Sequence, residues 1–155
     1  MIGEDAWTEA LALDRPLDAA VSTTALHYLP QDTLRRTYAQ LATLLRPGGV
    51  LVNGDHLLQD GAKPSRIAAH IGHRRAERQQ ALTHDDWESW WTAVADDPEL
   101  ADLLAERRHR QPTPGPGNGN GLTLSHHTEL LRQAGFEHAV PVWQFGNSYV
   151  LVALR

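Results

Sequence analysis

Apolar positions along this chain fall alternately into short runs and helical stripes. Leu17 to Ser22 (Leu-Asp-Ala-Ala-Val-Ser) is a short apolar run ending in a hydroxyl cluster and predicts a buried strand. From Asp32, a residue type suited to cap a helix, Leu34, Tyr38, Leu41 and Leu45 recur at three- and four-residue spacing. Arg46 then falls in the last turn, and Pro47-Gly48-Gly49 ends the helix. Val50-Leu51-Val52-Asn53 predicts a second strand. A strand, a helix and a strand in close succession form a βαβ unit, whose strands are parallel and whose crossover is right-handed.

Residues 57–121 change character, with helical patterns over about 62–81, 84–95 and 97–109 and no strand signal. They read as a helical insertion that ends in a Pro- and Gly-rich stretch from Gln111 to Gly121, expected to be a mobile loop. Ser125 can cap a final helix, with Glu129 in its first turn and Gly135 as its stop. Glu137 to Gln144, a turn at Gly146-Asn147, and Ser148 to Leu154 predict a hairpin. Pro141 cannot donate to a ladder, so the first hairpin strand belongs at an edge; Tyr149 to Leu154 is apolar on both faces and belongs in the centre. The expected architecture is α/β, in the order first strand, second strand, last strand, edge strand.

Composition narrows the partners. With 155 residues, 41% of them hydrophobic and 21% charged, the chain suits one domain. A net charge of −5 argues against general binding to nucleic acid or a membrane surface. The absence of cysteine removes disulfides and thiolate chemistry. No signal peptide or membrane-spanning run is visible, so a cytoplasmic location is expected. His70 and His73 would share a helix face, but no third ligand is identifiable and Arg74, Arg75 and Arg78 follow at once, so no metal is expected. His126 and His127, at a helix start, are expected to be exposed. Gly115 to Gly121 imitates a phosphate-binding glycine loop without a strand to deliver it or a helix to start from it, and reads as a linker.

Ligands of open α/β sheets lie outside the carboxyl ends of the strands. The segments there are Ser22-Thr23-Thr24-Ala25-Leu26-His27 and Asn53-Gly54-Asp55-His56, which neighbouring parallel strands bring to one crevice. The residues from Leu17 to Leu29, with Leu41 to Leu45 followed by Arg46-Pro47-Gly48-Gly49-Val50-Leu51-Val52-Asn53, resemble the region around the fourth and fifth strands of class I S-adenosylmethionine-dependent methyltransferases. The resemblance implies a partial Rossmann-like sheet, its strands corresponding to the family's fourth, fifth, seventh and sixth, with the last antiparallel and residues 57–121 placed where such enzymes often carry a lid. It covers residues 10–56 and 122–155. The family's Gly-x-Gly-x-Gly loop is absent, so the chain is expected to be the C-terminal half of such a domain, truncated at its N-terminus.

The same resemblance implies S-adenosylmethionine as cofactor, lying along Ser22, Thr23, Ala25 and Leu26, with Asp5 as a further contact. Methyl transfer from a sulfonium needs orientation and a dry site more than a nucleophilic residue. A hydroxyl or amine acceptor must lose a proton, for which His27 is the first candidate base, followed by Asp55 and His56. Trp87, Trp90 and Trp91 share one helix face, as core or as a platform for a hydrophobic or aromatic small molecule. Two other readings remain: an inactive remnant, or a module that binds a small ligand or a partner. Loss of the first three strands would leave the Leu17 strand with an open edge, to be covered by residues 1–16, a second copy or a complementing chain.

Overall fold

The sheet has four strands, which stand in the order first, second, fourth, third, the order expected from the position of Pro141 and the apolarity of the last strand. The computed structural model describes residue 2 and residues 7–78, 90, 92–110 and 119–155. Strand β1 (Leu17–Thr23) runs parallel to β2 (Leu45–His56). Strand β4 (Ser148–Leu154) is antiparallel to both β2 and β3 (His138–Phe145). Helix α1 (Gln31–Leu44) connects β1 to β2. Helices α2 (Ala62–Arg78) and α3 (Ala101–Arg110) lie between β2 and α4 (Leu124–Gln133), which leads into the terminal hairpin.

Several boundaries differ from the sequence reading, each for a local reason. Helix α1 is capped at Pro30, not Asp32; proline's fixed φ suits a helix start, and Asp32 acts instead as an acid in the first turn, favourable to the helix dipole. Leu45 and Arg46 are already extended. Leu45 pairs with Leu17 before the Pro47-Gly48-Gly49 segment bulges out, and pairing resumes at Ala19 with Val50. Gly48, at φ +72°, supplies the left-handed residue this bulge requires. At α4 the cap is Thr123, whose side chain accepts from the His126 backbone N–H, while Ser125 donates to Asp60 at 2.5 Å. Gly135, at φ +99°, ends α4 as expected.

Alternation along β2 sorts the sheet into two faces. Leu51, Asn53 and Asp55 are buried beneath α1 and α4, as are Tyr149, Leu151 and Ala153 of β4. Leu51, Tyr149, Leu151 and Ala153 meet Leu34, Tyr38 and Ala42 of α1, Leu130 and Leu131 of α4, and Phe136 in one core. The opposite face carries Val50, Val52, Val150 and Val152, half-buried, with Val21 and Val140 exposed; Val21 reaches 72% exposure. Helix α2 reaches this face at the hairpin end, where the Arg75 guanidinium lies 5.2 Å from the Phe145 ring centre. Among the described residues no strand pairs with the outer edge of β1. None of the described helices is long and apolar enough to cross a membrane.

Candidate functional site

The carboxyl ends of β1 and β2 are in register, Ser22 beside Asn53 and Thr23 beside Gly54. Beyond β1 the chain turns sharply. Thr24 has a left-handed backbone (φ +47°), and its N–H donates to the Gly54 carbonyl at 2.8 Å, which tethers the tip of β1 to β2. A non-glycine residue in this region stores strain, as tight functional turns often do. The 3-10 turn Leu26–Tyr28 follows and carries His27 back over β2.

Asp55 is on the core face because it stands four residues from Leu51 in an alternating strand, and its side chain is fully buried. A buried carboxylate needs hydrogen-bond donors, and four reach it. Oδ1 accepts from His27 Nδ1 at 2.5 Å and from the His56 N–H at 2.9 Å. Oδ2 accepts from the His27 N–H at 3.1 Å and from Asn53 Nδ2 at 3.4 Å. Since a carboxylate only accepts, the hydrogen belongs on His27 Nδ1, and the lone pair of the neutral ring is on Nε2. His27 is 9% exposed. This is an oriented imidazole, arranged as a base supported by a carboxylate is arranged.

Behind Asp55 lies a second buried pair, Tyr38 on α1 and His127 on α4, joined between the Tyr38 hydroxyl and His127 Nδ1 at 2.8 Å. His127 is 0% exposed, contrary to the expectation of a solvated helix start. Its place on the Leu130–Leu131 face, three and four residues away, was the available signal. Burial pushes the His127 imidazole down to about 4, against the opposing pull of the Asp55 carboxylate, so the ring is neutral. Burial, and then the charge of Asp55, raise Tyr38 well above its ordinary range. Asn53 Oδ1 and His127 Nε2 are buried without a hydrogen-bond partner among the described residues.

The remaining candidates lie at different distances from this centre. Ser22 is half-buried, and Thr23 and Ala25 are exposed at the rim. Leu26 belongs to the hydrophobic core. His56 points to the opposite face of β2, where its Nδ1 lies 3.3 Å from Ser148 Oγ, so it does not join the His27–Asp55 pair. Trp90 is exposed. Asp5, Trp87 and Trp91 lie outside the described residues. The end of the Gly- and Asn-rich stretch, expected to be a loose linker, instead packs on the His27 turn: the Asn120 N–H donates to the His27 carbonyl at 2.6 Å.

Comparison with solved structures supports this architecture. The chain is similar to PigF, solved with SAH, at 14% identity and a TM-score of 0.51, covering 92% of this chain and 32% of that one. It is similar to TnmH at 15% identity and a TM-score of 0.50, covering 92% and 31%. These likenesses establish the fold. Human N-acetylserotonin methyltransferase in complex with SAM is also similar, at 16% identity and a TM-score of 0.49, with the same 92% and 31% coverage. The chain thus spans about a third of the length of the structures it matches. No protein-family model matches the chain, and no curated protein does.

Proposed function

We propose that this chain is the C-terminal part of an S-adenosylmethionine-dependent methyltransferase that acts on a small hydrophobic or aromatic molecule, with His27 as general base and Asp55 as its supporting carboxylate. The observation that carries the reading is the His27 Nδ1–Asp55 Oδ1 contact at the carboxyl ends of two adjacent parallel strands, where an open α/β sheet receives its ligand. The shared fold with PigF, solved with SAH, supports the cofactor assignment.

The residues at the β1 tip fit one side of such a cofactor. Thr23 and Ser22 offer hydroxyls to a polar amino-acid end, and Ala25 leaves room for its approach. Among the described residues no strand feeds a glycine loop into a helix, so these residues supply one side of the grip. We assign the rest of the grip to a chain segment pairing along the outer edge of β1, which no described strand covers. When bound, the cofactor supplies a methyl group already activated as a sulfonium. His27 Nε2 takes the proton from the acceptor, Asp55 stabilises the imidazolium that results, and burial keeps competing water from the pair. The reading of the acceptor as aromatic or hydrophobic rests on the spacing of Trp87, Trp90 and Trp91, within the region we read as a lid.

Calorimetric titration with S-adenosylhomocysteine tests the reading. Dissociation constants of order micromolar would support a cofactor site on this chain. No heat from a sample whose circular dichroism shows it folded would overturn that site, and would favour an inactive remnant or a partner-binding module.

A further inference from the structure

We propose that Asn120 is a positioning residue for His27, clasping the 3-10 turn Leu26–Tyr28 so that the imidazole stays seated on Asp55. This deepens the reading above and rests on His27 and Asp55 acting as a pair. The turn needs outside support. Within itself it is held by Tyr28 N–H to the Ala25 carbonyl at 3.2 Å and Leu29 N–H to the Leu26 carbonyl at 3.1 Å, and one 3-10 turn is weakly bonded on its own. It also follows directly from the left-handed Thr24.

Asn120, about ninety residues further along the chain, meets three carbonyls of this turn. Its backbone N–H donates to the His27 carbonyl at 2.6 Å, and its side-chain Nδ2 donates to the carbonyls of Leu29 at 3.0 Å and Leu26 at 3.5 Å. Its Oδ1 accepts from the Leu122 N–H at 3.1 Å, a local turn that fixes which end of the amide faces the Leu26 and Leu29 carbonyls. The clasp is itself anchored. Leu122 packs against the core, and the Leu124 N–H donates to the Leu58 carbonyl at 2.9 Å. Gly119 completes the fit: a β-carbon there would come within 3.3 Å of His27 Cδ2 and 3.4 Å of its carbonyl oxygen, so the backbone passes directly against the ring. The glycine- and asparagine-rich stretch therefore ends in a contact with the proposed base, a role that a flexible linker would not need.

Asn120→Asp separates the two halves of this side chain. It keeps an oxygen for Leu122 and replaces the donor with an oxygen facing carbonyls. The readout is hydrogen exchange of the His27 Nδ1–H by NMR on nitrogen-15-labelled histidine, with the Tyr38–His127 pair as an internal monitor of folding. Exchange at least about tenfold faster in Asn120→Asp, with His127 resonances in place, is the expected result. Rates within about twofold of wild type in a folded variant would overturn the clasp. Should Asn120→Asp fail to fold, Asn120→Ala decides by the same measurement, since it removes the Nδ2 donor to the Leu26 and Leu29 carbonyls without bringing an oxygen against them. A wild-type protein with no protected His27 Nδ1–H would overturn the pair. The clasp would then stand if Tyr28 and Leu29 amide protection falls in Asn120→Asp, and fall if that protection is unchanged.

Discussion

Mild acid should destabilise this protein through His127. The imidazole is held at about 4 in the folded state against an ordinary value of 6.5, because burial penalises its charged form. The unfolded chain therefore binds the proton first as pH falls. Stability is intact above about 6.5 and is lost progressively as pH drops from there toward about 4, since the unfolded state carries more protons throughout that window. Linkage with these two values gives a loss of about 2 kcal/mol between pH 7 and pH 5, rising to about 3 kcal/mol at pH 4. A domain of this size has a stability of roughly 5–15 kcal/mol, so the effect is large enough to measure. The perturbation that isolates it is His127→Gln, which keeps a hydrogen-bonding group for Tyr38 and removes the titration. Urea unfolding of both proteins at pH 7 and pH 5, followed by tryptophan fluorescence, yields a difference of differences in which the other histidines cancel. Wild type should lose about 2 kcal/mol more than the variant over this interval. Equal losses would refute the reasoning, because they would mean that His127 takes its proton without cost and is not buried neutral between α1 and α4.

Three further outcomes follow, the first two resting on the proposed function. Asp55→Asn can present an N–H to His27 Nδ1 and reverse the tautomer, so formation of S-adenosylhomocysteine with a competent acceptor should fall by about a hundredfold or more, and His27→Ala should cost at least about tenfold; turnover unchanged in either variant removes that residue from its role. Gly146, at φ +62°, has no room for a side chain: a β-carbon would lie 2.6 Å from the Gly72 nitrogen and 2.7 Å from the Ala68 carbonyl oxygen. Gly146→Ala should therefore separate the hairpin from α2 at a cost of about 2 kcal/mol or more. Faster proteolysis within residues 62–78 and a lowered melting temperature would show it; an unchanged digest would not fit the contact.

Much of the sheet was legible because its signals are local. Pro141 excluded β3 from the centre, the apolar run at Tyr149–Leu154 placed β4 within, and the turn at Gly146-Asn147 set the hairpin. His27 and Asp55 could be singled out from their places after two adjacent parallel strands. Their partnership could not, because it depends on a turn whose path is set by Thr24 and by Asn120 from far along the chain. The burial of His127 escapes the sequence for a related reason. A histidine at a helix start is ordinarily solvated, and only its helical spacing to Leu130 and Leu131 argued otherwise. Helix α1 ends earlier than its apolar stripe suggests, because Leu45 continues the stripe yet is the first residue of β2 and packs in the core from there.

The alternation of β2 has a consequence for how this protein can change. Leu51, Asn53 and Asp55 project from the same side of one strand, so Asn53 and the proposed supporting carboxylate Asp55 occupy places that a purely structural sheet would fill with aliphatic side chains. Stability and reactivity thus compete for the same few positions, and variants selected for robustness would be drawn toward replacing Asn53 and Asp55 with leucine or valine. The valine-bearing side is free of that conflict. Its residues can be exchanged to suit whatever rests against them without moving the buried carboxylate, so adaptation to new surroundings and retention of the His27–Asp55 pair are separable by residue parity.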